Sequence, residues 1–167
     1  MRFSLLPTML TTRITDLPPS FFHDRGVQLL MLDFDNTIIP YTTDILTPEV
    51  DAWLREMTAS GIPLAVVSNS HKDRAKNFCD GYGIACFTYA NKPSRKGFRR
   101  CMEHYGKTPD VCMMIGDQIF TDTLGANRSG VRSVLVKSIH NHKFWLKLRH
   151  IAELPFIFLA RKRRIKL

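Results

Sequence analysis

Cysteine is scarce in this sequence, and its four cysteines form neither a CxxC pair nor a regular disulfide framework. No secretory signal is recognisable at the N-terminus, where Pro7 and several threonines interrupt the apolar residues. We therefore expect buried or free thiols in a reducing compartment. No stretch approaches the roughly 18 apolar residues that a membrane-spanning helix needs, and the histidines lack metal-ligand spacing beside cysteine. These absences argue against a secreted disulfide-rich domain, an integral membrane protein and a zinc protein, and they predict a cytoplasmic location.

Acidic residues are nearly missing from the C-terminal part of the chain. Residues 137–167 contain nine Lys or Arg and one acidic residue, Glu153, whereas the first 136 residues carry fifteen basic and fourteen acidic residues. The net charge of +9 is therefore concentrated at one end of the molecule. A local excess of positive charge of this kind indicates a local anionic partner.

This basic C-terminal segment also has an amphipathic pattern. Its predicted apolar face consists of Phe144, Trp145, Leu148, Ile151 and Ala152, with basic residues and Glu153 around it. Pro155 is predicted to interrupt the helix before the apolar run that ends at Ala160. A helix of this kind with aromatic anchors can lie on an anionic membrane, and it can equally pack on the domain. Nucleic-acid binding is a third and less favoured interpretation.

Apolar runs alternate with segments of helical periodicity along the chain. Strands are predicted at about 27–33, 62–67, 84–89, 111–115 and 131–136, with helices between them. This alternation predicts an α/β fold, a Rossmann-like parallel β-sheet flanked by helices. The length of 167 residues suits one domain, divided into an N-terminal arm (1–26), a core (27–136) and a tail (137–167). We expect the arm to form a short helix or irregular segment that ends at Pro18-Pro19.

Polar side chains follow four of the predicted strands, at the point where each strand ends. They are Asp33 and Asp35, then Ser68 and Asn69, then Lys92, and finally Asp117 and Asp122. Since the carboxyl ends of parallel strands meet at one edge of a sheet, we expect these groups to lie together. Two aspartates as close as Asp33 and Asp35 repel each other unless a cation or a shared proton is present.

This set of groups suits phosphoryl transfer with a divalent cation. Carboxylate oxygens are the ligands that Mg²⁺ prefers, and a lysine with a hydroxyl can orient phosphoryl oxygens. One aspartate can attack phosphorus, while a second carboxylate protonates the leaving group and later activates water. The residues therefore predict a Mg²⁺-dependent reaction at a phosphate.

The four groups resemble the four motifs of the haloacid dehalogenase (HAD) superfamily, in order and with suitable spacing. Motif I is the segment 33–37, motif II is Ser68, motif III is Lys92 before Pro93, and motif IV is the segment 116–122. The resemblance implies a HAD-type fold, phosphatase activity and Mg²⁺ as the cofactor. The acidic Asp35 favours a phosphatase over a dehalogenase, which lacks a carboxylate there.

The resemblance also implies a role for each residue. Asp33 would be the nucleophile that forms an aspartyl-phosphate, and Asp35 would be the general acid and base. Mg²⁺ would be held by Asp33, Asp35 through its backbone carbonyl, Asp117 and Asp122. The phosphoryl oxygens would be bound by Thr37, Ser68, Asn69 and Lys92.

Short intervals between the motifs leave no room for a lid domain. Between Asp33 and Ser68 lie 34 residues, and between Ser68 and Lys92 lie 23. The chain thus resembles the capless HAD phosphatases, whose open sites tend to serve large substrates. Within them it is most similar to the YqeG-like subfamily IIIA, which is itself similar to mitochondrial phosphatidylglycerophosphate phosphatases.

The reaction implied by this resemblance is conversion of phosphatidylglycerophosphate to phosphatidylglycerol in phospholipid biosynthesis. The phosphorylated partner would be a lipid headgroup, and the basic tail would make peripheral contact with an anionic membrane. Two alternatives stay open at this point. One is a HAD phosphatase that acts on a nucleic-acid end, a phosphoprotein or a soluble metabolite. The other is a basic adaptor that binds RNA or a ribosomal surface.

Overall fold

The computed structural model describes residues 4–43, 45–70, 73–139 and 144–162, without the side chains of 144–150 and 162. Its strands are β1 (Met9–Leu10), β2 (Leu29–Leu32), β3 (Leu64–Val67), β4 (Ala85–Phe87), β5 (Cys112–Gly116) and β6 (Arg132–Leu135). Its α-helices are α1 (Pro19–His23), α2 (Pro48–Ala59), α3 (Asp73–Tyr82), α4 (Arg95–Tyr105), α5 (Leu124–Ser129) and α6 (Phe144–Lys162). A π-helical turn, Ile119–Thr123, precedes α5.

The six strands form one parallel sheet in the order β1-β6-β5-β2-β3-β4. At the centre, Leu32 is in register with Val66 of β3 and with Ile115 of β5. The segments that follow these three strands therefore leave the sheet side by side. The predicted α/β fold with a parallel sheet is confirmed.

Helices cover both faces of the sheet, as the alternation of side chains along β2 shows. Leu30 and Leu32 pack with Trp53 of α2 in one buried cluster, whereas Leu29 and Met31 pack with Phe98 and others in a second cluster. Because successive strand side chains point to opposite faces, the fully apolar β2 must be buried on both. Thr47 accepts a hydrogen bond from Val50 N at the predicted start of α2.

The N-terminal arm differs from its prediction. Met9 and Leu10 form the edge strand β1 beside β6, and Pro19 starts helix α1. A short 3-10 helix, Ile14–Asp16, ends before Pro18-Pro19, as predicted. Pro19 also begins a second helix, since proline lacks only an N–H that is unpaired in the first helical turn anyway. A strand of two residues carries too short a pattern for periodicity to detect, so the sheet has six strands where five were predicted.

Helix α6 also differs from its prediction, because it continues through Pro155. Ile151 and Ala152 of the predicted apolar face are exposed, whereas Glu153 is only 3% exposed and Ala160 is fully buried. Buried contacts on both sides of Pro155 hold the helix together despite the hydrogen bond that proline cannot donate. The side chains of Phe144, Trp145 and Leu148, and residues Lys143, Arg163 and Arg164, lie outside what the structure describes.

Three further observations concern the predicted absence of a lid, the membrane-span prediction and the cysteines. In the described residues, no helix or strand lies between β2 and α2, and only α3 and β4 lie between β3 and α4, so no lid domain is inserted there. Across the same part of the chain, none of the helices has the length and apolar character needed to cross a membrane. The four cysteines are free thiols, as predicted.

Candidate active site

Asp33 lies directly after the central strand β2, where the sheet meets the segments that leave it. Its N–H donates to Ile115 O at 2.8 Å, which fixes the backbone beside β5. Lys92 Nζ lies 2.6 Å from Asp33 Oδ1, and Thr37 Oγ1 donates to Asp33 Oδ2 at 3.3 Å. Asp33 is 6% exposed, so both carboxylate oxygens are oriented by neighbours within a nearly closed environment.

Lys92 joins Asp33 to a second buried carboxylate, that of Asp122. The Lys92 ammonium lies 2.7 Å from Asp122 Oδ1, and Gln118 N donates to Asp122 Oδ2 at 3.1 Å. Burial acts to lower the pKa of Lys92, but the attraction of Asp122 and Asp33 outweighs it and raises that pKa. Burial raises the pKa of Asp122, and the charge of Lys92 opposes this rise. The lysine is thus held in its charged form between two aspartates.

Gly116, the last residue of β5, makes the approach of Asp122 possible. A Cβ at this position would come within 2.6 Å of the Cβ of Asp122, closer than non-bonded atoms approach. The strand end and the π-helical turn can therefore be in contact only without a side chain at 116.

Three carboxylates gather at this place: Asp33, Asp117 and Asp122. One oxygen from each lies within 4.8 Å of the other two, and all three residues are buried. Lys92 contacts two of the three, Asp33 and Asp122, and positive charge stabilises like charges that lie so close together. The donor set therefore fits Mg²⁺, which binds through a few carboxylates and otherwise keeps its waters.

Lys92 reaches the aspartates because the loop after β4 is tied to the loop after β3. Asn69 Oδ1 accepts from Lys92 N at 2.6 Å, and Asn69 Nδ2 donates to Lys92 O at 3.0 Å. Both functional groups of the Asn69 side chain are thus engaged by the Lys92 backbone. In this structure the amide of Asn69, predicted to bind phosphate, holds the lysine in position.

Ser68 is placed where its prediction requires, at the carboxyl end of β3. It is 2% exposed, its N–H donates to Phe87 O, and its Oγ accepts from Ser70 N at 3.0 Å. The hydroxyl hydrogen is left available for another acceptor on this side of the loop.

Asp35 is not one of the three clustered carboxylates, and it has a partner of its own, Arg74. Arg74 Nη1 donates to Asp35 Oδ1 at 2.7 Å, and the guanidinium also donates to the carbonyls of Pro40 and Thr43. Burial, and secondly the charge of Asp33, raise the pKa of Asp35, while Arg74 opposes this rise. The two aspartates of motif I thus occupy different electrostatic environments.

Two residues in contact with the site were not predicted. Arg74 lies in the first turn of α3, and its sequence neighbours give no sign that it reaches Asp35. Glu153 of α6 accepts from Ile119 N at 2.9 Å and from Phe120 N at 3.3 Å, in the turn after Asp117. The sequence feature that could have identified Glu153 is that it is the one acidic residue in segment 137–167.

Comparison with known proteins identifies the family. Residues 13–130 match the model of the haloacid dehalogenase-like hydrolases. The chain belongs to this family. Over 131 residues it is 34% identical to the probable phosphatase YqeG of Bacillus subtilis, covering 78% of this chain and 76% of that protein.

A second relative is the chloroplastic and mitochondrial phosphatidylglycerophosphate phosphatase 1 of Arabidopsis thaliana. The two are 28% identical over 146 residues, which cover 82% of this chain but 42% of the plant protein. Among solved structures, an uncharacterised protein from Listeria monocytogenes serotype 4b has a TM-score of 0.57 at 17% identity, covering 82% of this chain and 99% of that one. This last likeness concerns the fold alone.

These findings confirm the predicted membership of the HAD superfamily and the similarity to YqeG. The HAD-like hydrolase of residues 13–130 is a phosphatase enzyme. The interpretation as a non-enzymatic RNA-binding adaptor is not supported by them.

Proposed function

We propose that this phosphatase hydrolyses phosphatidylglycerophosphate to phosphatidylglycerol, with Mg²⁺ and through an aspartyl-phosphate on Asp33. The observation that carries the mechanism is the contact of Lys92 with Asp33 at 2.6 Å and with Asp122 at 2.7 Å, beside Asp117. The similarity to the plant phosphatidylglycerophosphate phosphatase supports the substrate.

In the first step, an Asp33 oxygen attacks phosphorus and the bond from phosphorus to the leaving oxygen breaks. Lys92 and Thr37 hold the carboxylate in one orientation, so little reorganisation is needed before attack. Lys92 and the Ser68 hydroxyl are placed to bind the phosphoryl oxygens. The product of this step is an acyl phosphate on Asp33 and a free alcohol.

Asp35 supplies the proton that the leaving oxygen needs. Its raised pKa favours the protonated form that a general acid requires, and burial is the main cause. In the second step, Asp35 accepts a proton from the water that attacks the acyl phosphate. This returns Asp33 as a carboxylate and releases inorganic phosphate.

Mg²⁺ would be held by Asp33, Asp117 and Asp122, with the Asp35 carbonyl as a further ligand. When bound, it supplies positive charge that stabilises the negative charge developing on the phosphoryl oxygens. Asp122 reaches the site only because Gly116 carries no side chain, and Gln118 N orients its carboxylate.

Peripheral contact with an anionic membrane would bring the enzyme to a lipid substrate. Four apolar side chains of α6 are substantially exposed: Ile151 at 60%, Leu154 at 46%, Phe158 at 68% and Leu159 at 47%. They belong to a segment with nine basic residues and one acidic residue. Apolar side chains beside clustered positive charge are the combination that binds anionic bilayers.

The mechanism is tested by trapping the intermediate. Wild-type protein is acid-quenched during turnover with Mg²⁺ and treated with borohydride, which reduces an acyl phosphate to an alcohol. Peptide mass spectrometry should then find homoserine at position 33, and Asp33→Asn should show no such product. A reduced residue at any other aspartate would overturn the assignment of Asp33.

The substrate is tested with a panel of phosphatidylglycerophosphate in mixed micelles, a 5′-phosphorylated oligonucleotide, a phosphopeptide and small phosphate esters. We expect the highest kcat/KM for the lipid, with Asp33→Asn inactive on every substrate. Strong turnover of a soluble ester without turnover of the lipid would refute the lipid assignment. Flotation with anionic and neutral vesicles tests the membrane contact. We expect the protein to float with the anionic vesicles, and no binding to them would contradict the contact.

A further inference from the structure

A pocket of about 430 Å³ opens beside the catalytic carboxylates, between α6 and the end of β6. Asp117 lies in its wall, so the pocket is continuous with the site described above. Its volume is in the range of pockets that hold small ligands. Nothing in the mechanism uses this space.

The wall of the pocket combines an apolar surface with two cations. Leu154, Ile157 and Phe158 of α6 face Leu135 and Val136 across it, and the basic residues are Lys137 and Arg161. Both Lys137 and Arg161 are exposed, and within the described residues neither has a carboxylate at salt-bridge distance. The pocket is thus suited to a ligand that is both anionic and apolar.

A second pocket of about 430 Å³ lies on the other side of segment 136–138, beside Thr37. Threonines make up much of its polar lining, and Glu49 is part of its wall together with Arg13. Lys137 borders this pocket too, so each of the two pockets has two cations and one carboxylate in its wall. Only the first pocket reaches Asp117 of the carboxylate cluster and is bordered by α6, which makes it the candidate for binding the rest of the substrate.

We propose that the pocket between α6 and segment 135–138 binds the leaving group of the substrate. Lys137 and Arg161 bind a phosphodiester, and Leu154 and Phe158 contact the adjoining glycerol and the first carbons of the acyl chains. This inference rests on the proposed lipid phosphatase function and adds the part of the enzyme that selects the substrate. The substrate class is a glycerophospholipid with a terminal phosphomonoester and a second, internal phosphate.

Position and charge both support this occupant. Asp117 belongs both to the carboxylate cluster and to the wall of the pocket, so the pocket opens next to the place where a terminal phosphate at Asp33 would be bound. An internal phosphodiester carries one negative charge, which two cations on an exposed rim can bind without a large desolvation penalty. Phe158 and Leu154 are exposed at 68% and 46%, so their contact with acyl carbons would remove apolar surface from water.

The test compares two pairs of variants on three soluble substrates. The substrates are dihexanoyl phosphatidylglycerophosphate below its micelle concentration, the same headgroup without acyl chains, and para-nitrophenyl phosphate. Lys137→Gln/Arg161→Gln removes the cations, and Leu154→Ser/Phe158→Ser removes the apolar wall. The control is Arg99→Gln on α4, which is exposed. A separate variant, Ile151→Ser/Leu159→Ser, changes exposed side chains of α6 outside the pocket and reports on the membrane contact.

We expect the cation variant to lower kcat/KM for both headgroup substrates, relative to para-nitrophenyl phosphate, by about tenfold or more. The apolar variant should lower the preference for the acylated over the deacylated substrate by about tenfold. The Arg99→Gln control should stay within about twofold of wild type on these ratios, as exposed substitutions usually do. Calorimetry should show that the pocket substitutions, added to Asp33→Asn, raise the Kd for the dihexanoyl lipid by the same factors.

The outcomes separate the two proposals. Wild-type turnover of the lipid, with pocket variants that behave like Arg99→Gln, overturns the pocket and leaves the proposed function intact. Turnover of para-nitrophenyl phosphate alone by wild type overturns both. Equal losses in the pocket variants and in Ile151→Ser/Leu159→Ser, seen on vesicles but not on soluble lipid, would assign α6 to the membrane surface and overturn the pocket.

Discussion

The carboxylate cluster at the sheet edge buries charged side chains, whereas helix α6 exposes apolar side chains to solvent. The cluster buries Asp33, Lys92 and Asp122 and pairs them at 2.6–2.7 Å. Helix α6 exposes Phe158 and Ile151 while it buries its one acidic residue, Glu153. In the cluster, burial strengthens electrostatic contacts around the reacting atoms, whereas on α6 the exposed surface is available to a partner.

The two regions meet at Glu153. Its carboxylate accepts from Ile119 N and Phe120 N in the turn that carries Asp122, so α6 is attached directly to the candidate metal site. A helix suited to bind lipid therefore also supports the loop of motif IV. The following substitutions test how independent the two regions are.

The largest effect is expected for Lys92→Met, which leaves Asp33 and Asp122 buried without their cation. Removing one partner of a buried ion pair typically costs about 3–5 kcal/mol of unfolding free energy. Since Lys92 opposes the rise in the pKa of Asp122, its loss raises that pKa further. A raised carboxyl pKa means that the folded state binds more protons than the unfolded state. The loss in unfolding free energy of Lys92→Met should therefore be smaller at pH 5 than at pH 8.

Urea unfolding in metal-free buffer at pH 8 and pH 5 measures the unfolding free energy of Lys92→Met, with the exposed Lys96→Met as the matched control. A loss of stability that is the same at both pH values would contradict the explanation.

Gly116→Ala is expected to have the second largest effect. It changes the carboxylate cluster and leaves helix α6 unchanged. The new Cβ would lie within 2.6 Å of the Asp122 Cβ, so β5 and the π-helical turn must separate. Overpacking of this kind costs about 1–3 kcal/mol, and displacement of Asp122 should weaken Mg²⁺ binding. Thermal unfolding with and without Mg²⁺ should show a smaller metal-induced increase in Tm than in wild type. An unchanged increase would show that Asp122 does not contribute to metal binding.

Glu153→Ala tests the connection between the two regions. It leaves Ile119 N and Phe120 N without their acceptor, which costs about 1–3 kcal/mol for buried donors. Glu153→Gln keeps a carbonyl oxygen as acceptor and should lose less. Hydrogen exchange at Ile119 and Phe120 is the local measurement, and both amides should exchange faster in Glu153→Ala. Unchanged exchange in that variant would mean that α6 does not stabilise the turn.

Arg74→Gln should have the smallest and most selective effect. Arg74 orients Asp35, so its loss should matter when the leaving group needs a proton. We expect kcat to fall about tenfold for an alkyl phosphate and much less for para-nitrophenyl phosphate, whose leaving group is stable as an anion. Arg55→Gln, on α2, is the control. An equal loss on both substrates would indicate a structural role only.

Sequence patterns predicted the central strands well because each of these strands is buried on both faces. Such burial requires an unbroken apolar run, as in Leu29–Leu32, and the run ends where polar groups begin. The edge strand β1 was not predicted, because a strand of two residues is too short to show an alternating pattern. The burial of Glu153 in α6 was not predicted, since hydrophobicity alone does not show that this carboxylate accepts from the N–H groups of Ile119 and Phe120.

The sequence by itself determined the parallel sheet, the placement of Asp33, Ser68, Lys92 and Asp117 at strand ends, and the family. These follow from local composition, because strand-forming runs and their polar ends are properties of neighbouring residues. Tertiary structure alone decided that Lys92 contacts both Asp33 and Asp122, that Arg74 pairs with Asp35, and that α6 borders a pocket at Asp117. These ion-paired residues are 30 to 59 residues apart in the chain, and only folding brings them within hydrogen-bond distance.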